Sequence, residues 1–312
     1  MHQRQVSPHT ISSYRDTFRL LLEFAKQRLH QAPSQLTLKQ IDAPLITAFL
    51  DHLEAKRRVT GRTRNLRLTA IRSFFHFAAY EEPAHASQIQ RVLAIPGKRC
   101  SKALVSFLDQ TETQELLAAP DQRTWYGRRD YTLLLVAVQT GLRLSELTGL
   151  QREDLHLGTG AHVRCVGKGR KERCTPLTKH VRVALKAWLS RLAKNSQRLF
   201  PNAQGNRLSA DAVQRLLAKY QALAAIACPS LQKKHVTPHV LRHTAAMRLL
   251  QAGVDRSVIA LWLGHESVET TQIYLDADLA LKEQALAKTA QAGGPCQLFK
   301  PEDPLLTFLK SL

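Results

Sequence analysis

Acidic residues are scarce in this chain, and that scarcity is the first constraint on its chemistry. Its 312 residues carry 25 Asp and Glu against 45 Lys and Arg, a formal net charge of +20 with a pI near 10.2. A surplus of that size implies a polyanionic partner, with nucleic acid favoured over an anionic membrane. No apolar run reaches the roughly 18 residues that a membrane span needs. The N-terminus, MHQRQVSPHT, has no apolar signal core, so a cytoplasmic location is expected. Cysteine is sparse as well. Cys100, Cys165, Cys174, Cys228 and Cys296 are odd in number and scattered, which suits reduced thiols better than a disulfide framework. Clustered carboxylates are missing, which disfavours a metallonuclease. His239 and His243 are four apart, but the Glu of an H-E-x-x-H zinc helix and a third ligand are not there. The run Gly167-Lys168-Gly169-Arg170-Lys171 lacks the spaced glycine and the Ser/Thr of a Walker loop.

What is present begins with length and apolar content. At 312 residues and 44% hydrophobic the chain has enough material for two domains with cores of their own. From Ser7 to about Leu93 the pattern is helical. Ile11, Tyr14, Phe18, Leu21, Leu22, Ala25 and Leu29 recur at helix spacing after a Ser7-Pro8 start signal. A second helix is expected near Ile41–Ala55, opened by Asp42, and a third over Thr63–Tyr80. Leu66, Ala70, Ile71, Phe74, Phe75 and Phe77 are assigned to the core face of that third helix, with Arg62, Arg64, Arg67 and Arg72 on or beside its polar side. Charges nearly all of one sign favour phosphate contact over a merely solvated face. Residues 94–104 include Pro96, Gly97 and Ser101 with three cations, Lys98, Arg99 and Lys102, and read as a basic linker.

The second domain is placed at 105–290. Asp109 or Thr111 caps a helix to Ala119, and Asp130–Thr140 is an apolar helix. Arg143, two residues past Gly141 in an apolar setting, needs a partner, and Glu146 is the candidate. His162–Cys165 and Arg173–Pro176 flank the basic turn at 167–171 and read as a β-hairpin. A helix follows over Val181–Leu192 and another from Ser209 through Tyr220. Residues 221–236 are less regular, and Arg207 and Ser209 are candidate backbone-phosphate contacts. Beyond Gln291 the character changes: Leu305, Phe308, Leu309 and Leu312 fall at helical spacing in a short apolar tail, 291–312.

Residues 237–276 concentrate the chemistry. His239, Arg242, His265 and Tyr274 supply two imidazoles, a fixed cation and a phenol, a set suited to attack on a phosphodiester. The box His239-Val240-Leu241-Arg242-His243-Thr244 resembles the H-x-L-R-H-[TS] box of the tyrosine recombinase (phage integrase) family. Leu263-Gly264-His265 with Tyr274 nine residues after the histidine resembles that family's second box and nucleophile. Thr140-Gly141-Leu142-Arg143-Leu144-Ser145-Glu146-Leu147 matches its first arginine box.

The resemblance covers nearly the whole chain and carries expectations. The fold would be mainly α: an N-terminal helical core-binding, SAM-like domain over 1–93, the linker, and a mixed α+β catalytic domain over 105–290 with a small β-hairpin or sheet. Tyr274 would attack the scissile phosphate, leaving a 3′-phosphotyrosyl link and a free 5′-hydroxyl. Arg143 and Arg242 would hold the non-bridging oxygens and His265 would add a hydrogen bond. Lys168, with Lys171 as fallback, would protonate the leaving oxygen, and His239 would take the tyrosine proton. Arg62, Arg64, Arg67, Arg72, Arg170, Lys171, Arg207 and Ser209 are the expected DNA contacts. No metal and no cofactor is required. The partners implied are duplex DNA with paired inverted half-sites and a homo- or hetero-tetramer on the nucleoid, with room for a second recombinase or a DNA-bending protein. The tail at 291–312 would dock on a neighbouring protomer. Two other readings stay open: a type IB topoisomerase or telomere resolvase, and a DNA-binding or bending regulator without catalysis. The short N-terminal region points to an Xer-like, integron-like or transposon-associated recombinase, and the compact His265–Tyr274 spacing favours cleavage in cis.

Overall fold

The computed structural model describes residues 7–100, 105–167 and 172–265, with Ser267, Thr270, Thr271 and Tyr274. Lys168, Arg170, Lys171, Cys296, residues 275–290 and the tail at 291–312 lie outside the described residues, and so do the expectations attached to them. The chain divides into two compact units, Met1–Ala103 and Leu104–Leu312.

The first unit is helical because its caps and apolar spacing agree. Helix α1 spans Pro8–Leu29, and its N-cap Ser7 accepts from the Thr10 amide at 3.2 Å. Helix α2, Ala43–Arg57, starts at Asp42, which accepts from Leu45 N at 2.9 Å. Helix α3, Gly61–Glu81, is capped by Thr60, and α4 spans Ala86–Leu93. Each cap satisfies an amide that has no partner within its own helix. Leu21, Ile46, Phe49, Leu50, Leu53, Leu68, Ile71, Phe75, Ile89 and Val92 close the core.

Three expectations change here. The core face of α3 is Leu68-Ile71-Phe75-Ala78, whereas Leu66 and Phe77 are 63% and 60% exposed. Arginine on α3 is largely turned to protein: Arg64 is buried and its Nε lies 3.6 Å from Glu54 Oε2. Arg67 donates to Ser13 O at 3.1 Å and Thr17 Oγ1 at 2.9 Å, and Arg72 donates to Ile95 O. Arg64 is therefore corrected from a DNA contact to a structural cation, since its guanidinium faces Glu54 inside the helical unit and not the polar side of α3. Arg62 remains exposed. The stretch read as linker is bound to this unit as far as Cys100. Ile95 enters the core, Asn65 brackets Lys98 through both backbone groups, and Lys98 Nζ meets Glu54 at 2.7 Å.

In the second unit, α5 (Gln110–Ala118) is held by a capping box between Asp109 and Glu112. Helix α6, Trp125–Thr140, starts five residues before the expected Asp130 because Thr124 caps it. It packs against α8 (Lys179–Leu189) and α10 (Pro238–Gln251). Between them come α7 (Leu144–Gly149) and a three-stranded antiparallel sheet, β1 (Leu155–His156), β2 (His162–Val166) and β3 (Glu172–Pro176). The expected hairpin is β2–β3, with Val163 opposite Thr175, and β1 adds a strand that two residues alone do not announce. Cys165 is buried and Cys174 exposed, so the two thiols face opposite sides of the sheet. Helix α9 runs Ala210–Ala227, beyond the expected Tyr220, and a 3-10 turn at Pro229–Lys233 follows. Helix α11, Arg256–Leu263, closes the described core.

Candidate active site

The site forms where the ends of α6 and α11 meet the start of α7 and the middle of α10. Gly141 ends α6 in the left-handed region at φ 64°. A Cβ there would lie 2.6 Å from Leu263 Cδ2, so glycine lets the two turns touch. Arg143 is then the N-cap of α7. Its amide donates to Glu146 Oε2 at 2.7 Å, its Nη1 to Glu146 Oε1 at 3.0 Å, and its Nη2 to the Gly264 carbonyl at 2.7 Å.

The Glu146 carboxylate also receives Arg173 from β3, with Nη1 to Oε1 at 3.0 Å and Nη2 to Oε2 at 2.7 Å. Burial by itself would raise the Glu146 pKa. Bonds from Arg173 and Arg143 outweigh it, and the carboxyl ends below its ordinary value. Arg173 was legible only as a strand residue; the alternation of β3 turns it inward beneath Arg143.

Arg242 is 6% exposed on α10. Its Nη1 donates to Gly141 O at 2.7 Å and its Nη2 to Leu263 O at 2.8 Å. These carbonyls fix the guanidinium without neutralising it, and among the described residues it makes no ion pair. Burial, then the nearby Arg143, pull its pKa down to about 10, so it stays charged at neutral pH. Arg143, Arg173 and Arg242 against Glu146 give a local balance of 3 − 1 = +2.

His265 follows the left-handed Gly264 that ends α11, and its Nδ1 lies 3.0 Å from Thr271 Oγ1. Burial, then Arg242 and Arg143, lower its pKa to about 4. Tyr274 is 1% exposed and packs with Ala246, Met247, Leu250, Ile259 and Leu263. Burial raises its phenol above the ordinary value of 10, with Arg242 opposing. Its ring stacks near His265 at 6.4 Å between centroids.

The hydroxyl of Tyr274 lies 3.0 Å from Nδ1 of His243. The sequence pointed to His239 for that contact. His239 is exposed one turn earlier on α10, its ring 6.5 Å from that of His243, because i and i+4 share a helix face at different depths. Both histidines stood in one box, and only the packing tells which of them meets the phenol.

Arg143, Arg242, His265 and Tyr274 thus come together, and His239 stands at the edge of the group. Arg207 is engaged elsewhere, donating to Thr148 Oγ1 at 3.0 Å and Ser145 O at 2.5 Å. Ser209 caps α9, accepting from Ala212 N at 3.1 Å. Among the described residues no group of His, Cys, Asp and Glu is arranged to hold a metal ion, and no helix is long and apolar enough to cross a membrane.

Comparison with known proteins identifies the family. Residues 106–280 match the family model described as "Phage integrase family", and residues 1–82 match "Phage integrase, N-terminal SAM-like domain". The "Putative integrase/recombinase y4rC" of Sinorhizobium fredii is 62% identical over 313 residues, covering 100% of this chain and 94% of that protein. The "Tyrosine recombinase XerC" of Pelotomaculum thermopropionicum is 33% identical, covering 87% and 89%. Among solved structures, XerH site-specific recombinase bound to palindromic difH substrate superposes with a TM-score of 0.70 at 23% identity, covering 89% of this chain and 79% of that one. At that identity the likeness is one of fold.

Proposed function

The chain belongs to the phage integrase family and is a site-specific tyrosine recombinase; we propose that Tyr274 cuts the DNA strand while Arg143, Arg242 and His265 bind the phosphate under attack. The observation that carries this assignment is Arg242, a buried guanidinium beside a second arginine with no carboxylate of its own among the described residues. A buried charge without a counter-ion is costly, and a phosphodiester anion would supply the missing charge.

In the cleavage step the Tyr274 Oη forms a bond to phosphorus and the bond from phosphorus to the 5′-oxygen breaks. The two arginines stabilise the charge that gathers on the non-bridging oxygens, and His265 adds a hydrogen bond. Lys168, with Lys171 as the alternative, protonates the leaving 5′-oxygen. The 3′-phosphotyrosyl link keeps the bond energy until another 5′-hydroxyl attacks it, so this scheme needs neither nucleotide nor metal. Glu146 and Arg173 act by holding Arg143. Because Tyr274 is 1% exposed, binding of DNA must open the side chains that cover its hydroxyl.

The partner in this reading is duplex DNA carrying paired inverted half-sites, exchanged within a tetramer on the nucleoid. The palindromic substrate of the XerH complex supports paired sites, and the surplus of cations supports broad phosphate contact, with Arg62 a surviving candidate on α3. The tail at 291–312 is assigned to a neighbouring protomer. Covalent capture tests the reading: the protein is incubated with sheared genomic DNA of its host, adducts are collected after denaturation, and the attached DNA is sequenced. Adducts gathered at one inverted-repeat site, with the nucleotide on Tyr274 by mass spectrometry, are expected. Adducts scattered over all sequences would favour a topoisomerase instead.

A further inference from the structure

We propose that His243, and not His239, takes the proton from Tyr274 as the phenol attacks. The inference rests on Tyr274 being the nucleophile and adds to it the group that activates it. Three observations point to His243. Its Nδ1 is 3.0 Å from the Tyr274 hydroxyl, inside the reach required of a general base. The hydroxyl is enclosed, since Tyr274 is 1% exposed, so the imidazole stands where bulk water cannot. The backbone on either side of His243 is also anchored by both sequence neighbours. Arg242 is tied to two carbonyls, and Thr244 Oγ1 donates to Val240 O at 2.8 Å and accepts from Leu108 N at 2.9 Å. His243 therefore sits on an anchored stretch of α10.

The charged and titratable groups facing His243 are His239 and Arg242 on its own helix, with His265 and Tyr274 from the chain beyond α11. Burial, then His239 and Arg242, lower its pKa to about 4. The ring is thus neutral at physiological pH and keeps a lone pair for the phenol. So weak a base does not ionise a resting tyrosine. Acidity of the hydroxyl rises steeply as its oxygen bonds to phosphorus, and an anionic phosphate on Arg242 offsets that arginine's share of the depression, the smallest after burial and His239. In the balanced step the Oη–H bond breaks, its proton passes to His243 Nδ1, the Oη–P bond forms, and the 5′-oxygen departs with its electron pair.

The test uses the full-length protein and a nicked duplex bearing the captured site, with sulfur in place of the bridging 5′-oxygen. A thiolate leaves without a general acid, so the rate of adduct formation reports nucleophile activation. His243→Ala should form adduct about 10²–10³-fold more slowly at pH 7. Its rate should climb roughly tenfold per pH unit toward pH 9, where solvent deprotonates the phenol, while the wild type stays level. His243→Asn, which can accept a hydrogen bond but cannot carry the proton, should be equally slow, with DNA binding and melting temperature near wild type. Added imidazole should restore rate to His243→Ala. Wild-type rate in His243→Asn would reduce His243 to a positioning group, faster cleavage in His243→Ala would make it a latch, and the pH-dependent defect appearing in His239→Ala instead would return the role to His239. Each of these overturns the inference. An adduct formed by Tyr274→Phe would instead bring down the reading beneath it, so the two failures are distinct.

Discussion

Arg173 donates from both terminal nitrogens to Glu146, at 3.0 and 2.7 Å, and through that carboxylate supports Arg143. The side chain of Glu146 is 4% exposed. Removing it in Glu146→Ala leaves two guanidiniums uncompensated and should destabilise the second unit by about 3–5 kcal/mol. The milder Glu146→Gln isolates the charge. Because the folded-state pKa is depressed, this group contributes stability above the ordinary carboxylate value near ~4.3 and loses it as pH falls through the lower folded value. Melting curves from pH 6 down to 3 should show an acid limb in the wild type that is shallower in Glu146→Gln.

Gly264 makes a second prediction. It adopts φ +67°, and an added Cβ would lie 2.7 Å from Arg173 Nη1. Gly264→Ala combines backbone strain with displacement of Arg173, so both melting temperature and cleavage rate should fall. Gly253→Ala is the control: it shares a positive φ of 78° but meets nothing within 4 Å, so it should lose stability and keep the cleavage rate.

Arg242 separates binding from chemistry. A lysine cannot bridge Gly141 O and Leu263 O and still present a planar donor pair. Arg242→Lys should lower the rate of adduct formation by about 10²–10³-fold, in line with loss of an oxyanion donor. Affinity for the site in a gel shift should change little, because affinity is spread over many phosphates.

His243 and His265 both have pKa values lowered from 6.5 to about 4, chiefly by burial. The unfolded chain binds their protons first, so folded stability is full above about 6.5 and declines as pH drops toward 4. His265→Gln should flatten the fall of melting temperature across that window. This window lies above that of Glu146, so the two effects can be told apart on one titration.

Much of the fold could be read from local chemistry. Ser7, Asp42, Asp109 and Ser209 each announce a helix start that the structure contains, because a cap acts within three residues. Errors arise where distant partners decide. Arg64 reads as a solvent cation until Glu54 on α2 is set beside it. Phe77 reads as core by type, yet Leu68, Ile71 and Phe75 already fill the face that α3 presents. The site divides the same way. Arg143, Arg242, His265 and Tyr274 announce themselves by motif. Arg173 gains its place only through strand register and Glu146, and the choice between His239 and His243 depends on how deep each lies beside Tyr274.

The most direct measurement of the central assignment is covalent trapping on the captured site, nicked so that the released fragment diffuses away, with EDTA present. Wild type should give a denaturation-resistant protein–DNA adduct and Tyr274→Phe none, while both proteins shift the same DNA with similar affinity. An adduct that persists in Tyr274→Phe, or that disappears from the wild type when EDTA is added, would contradict it.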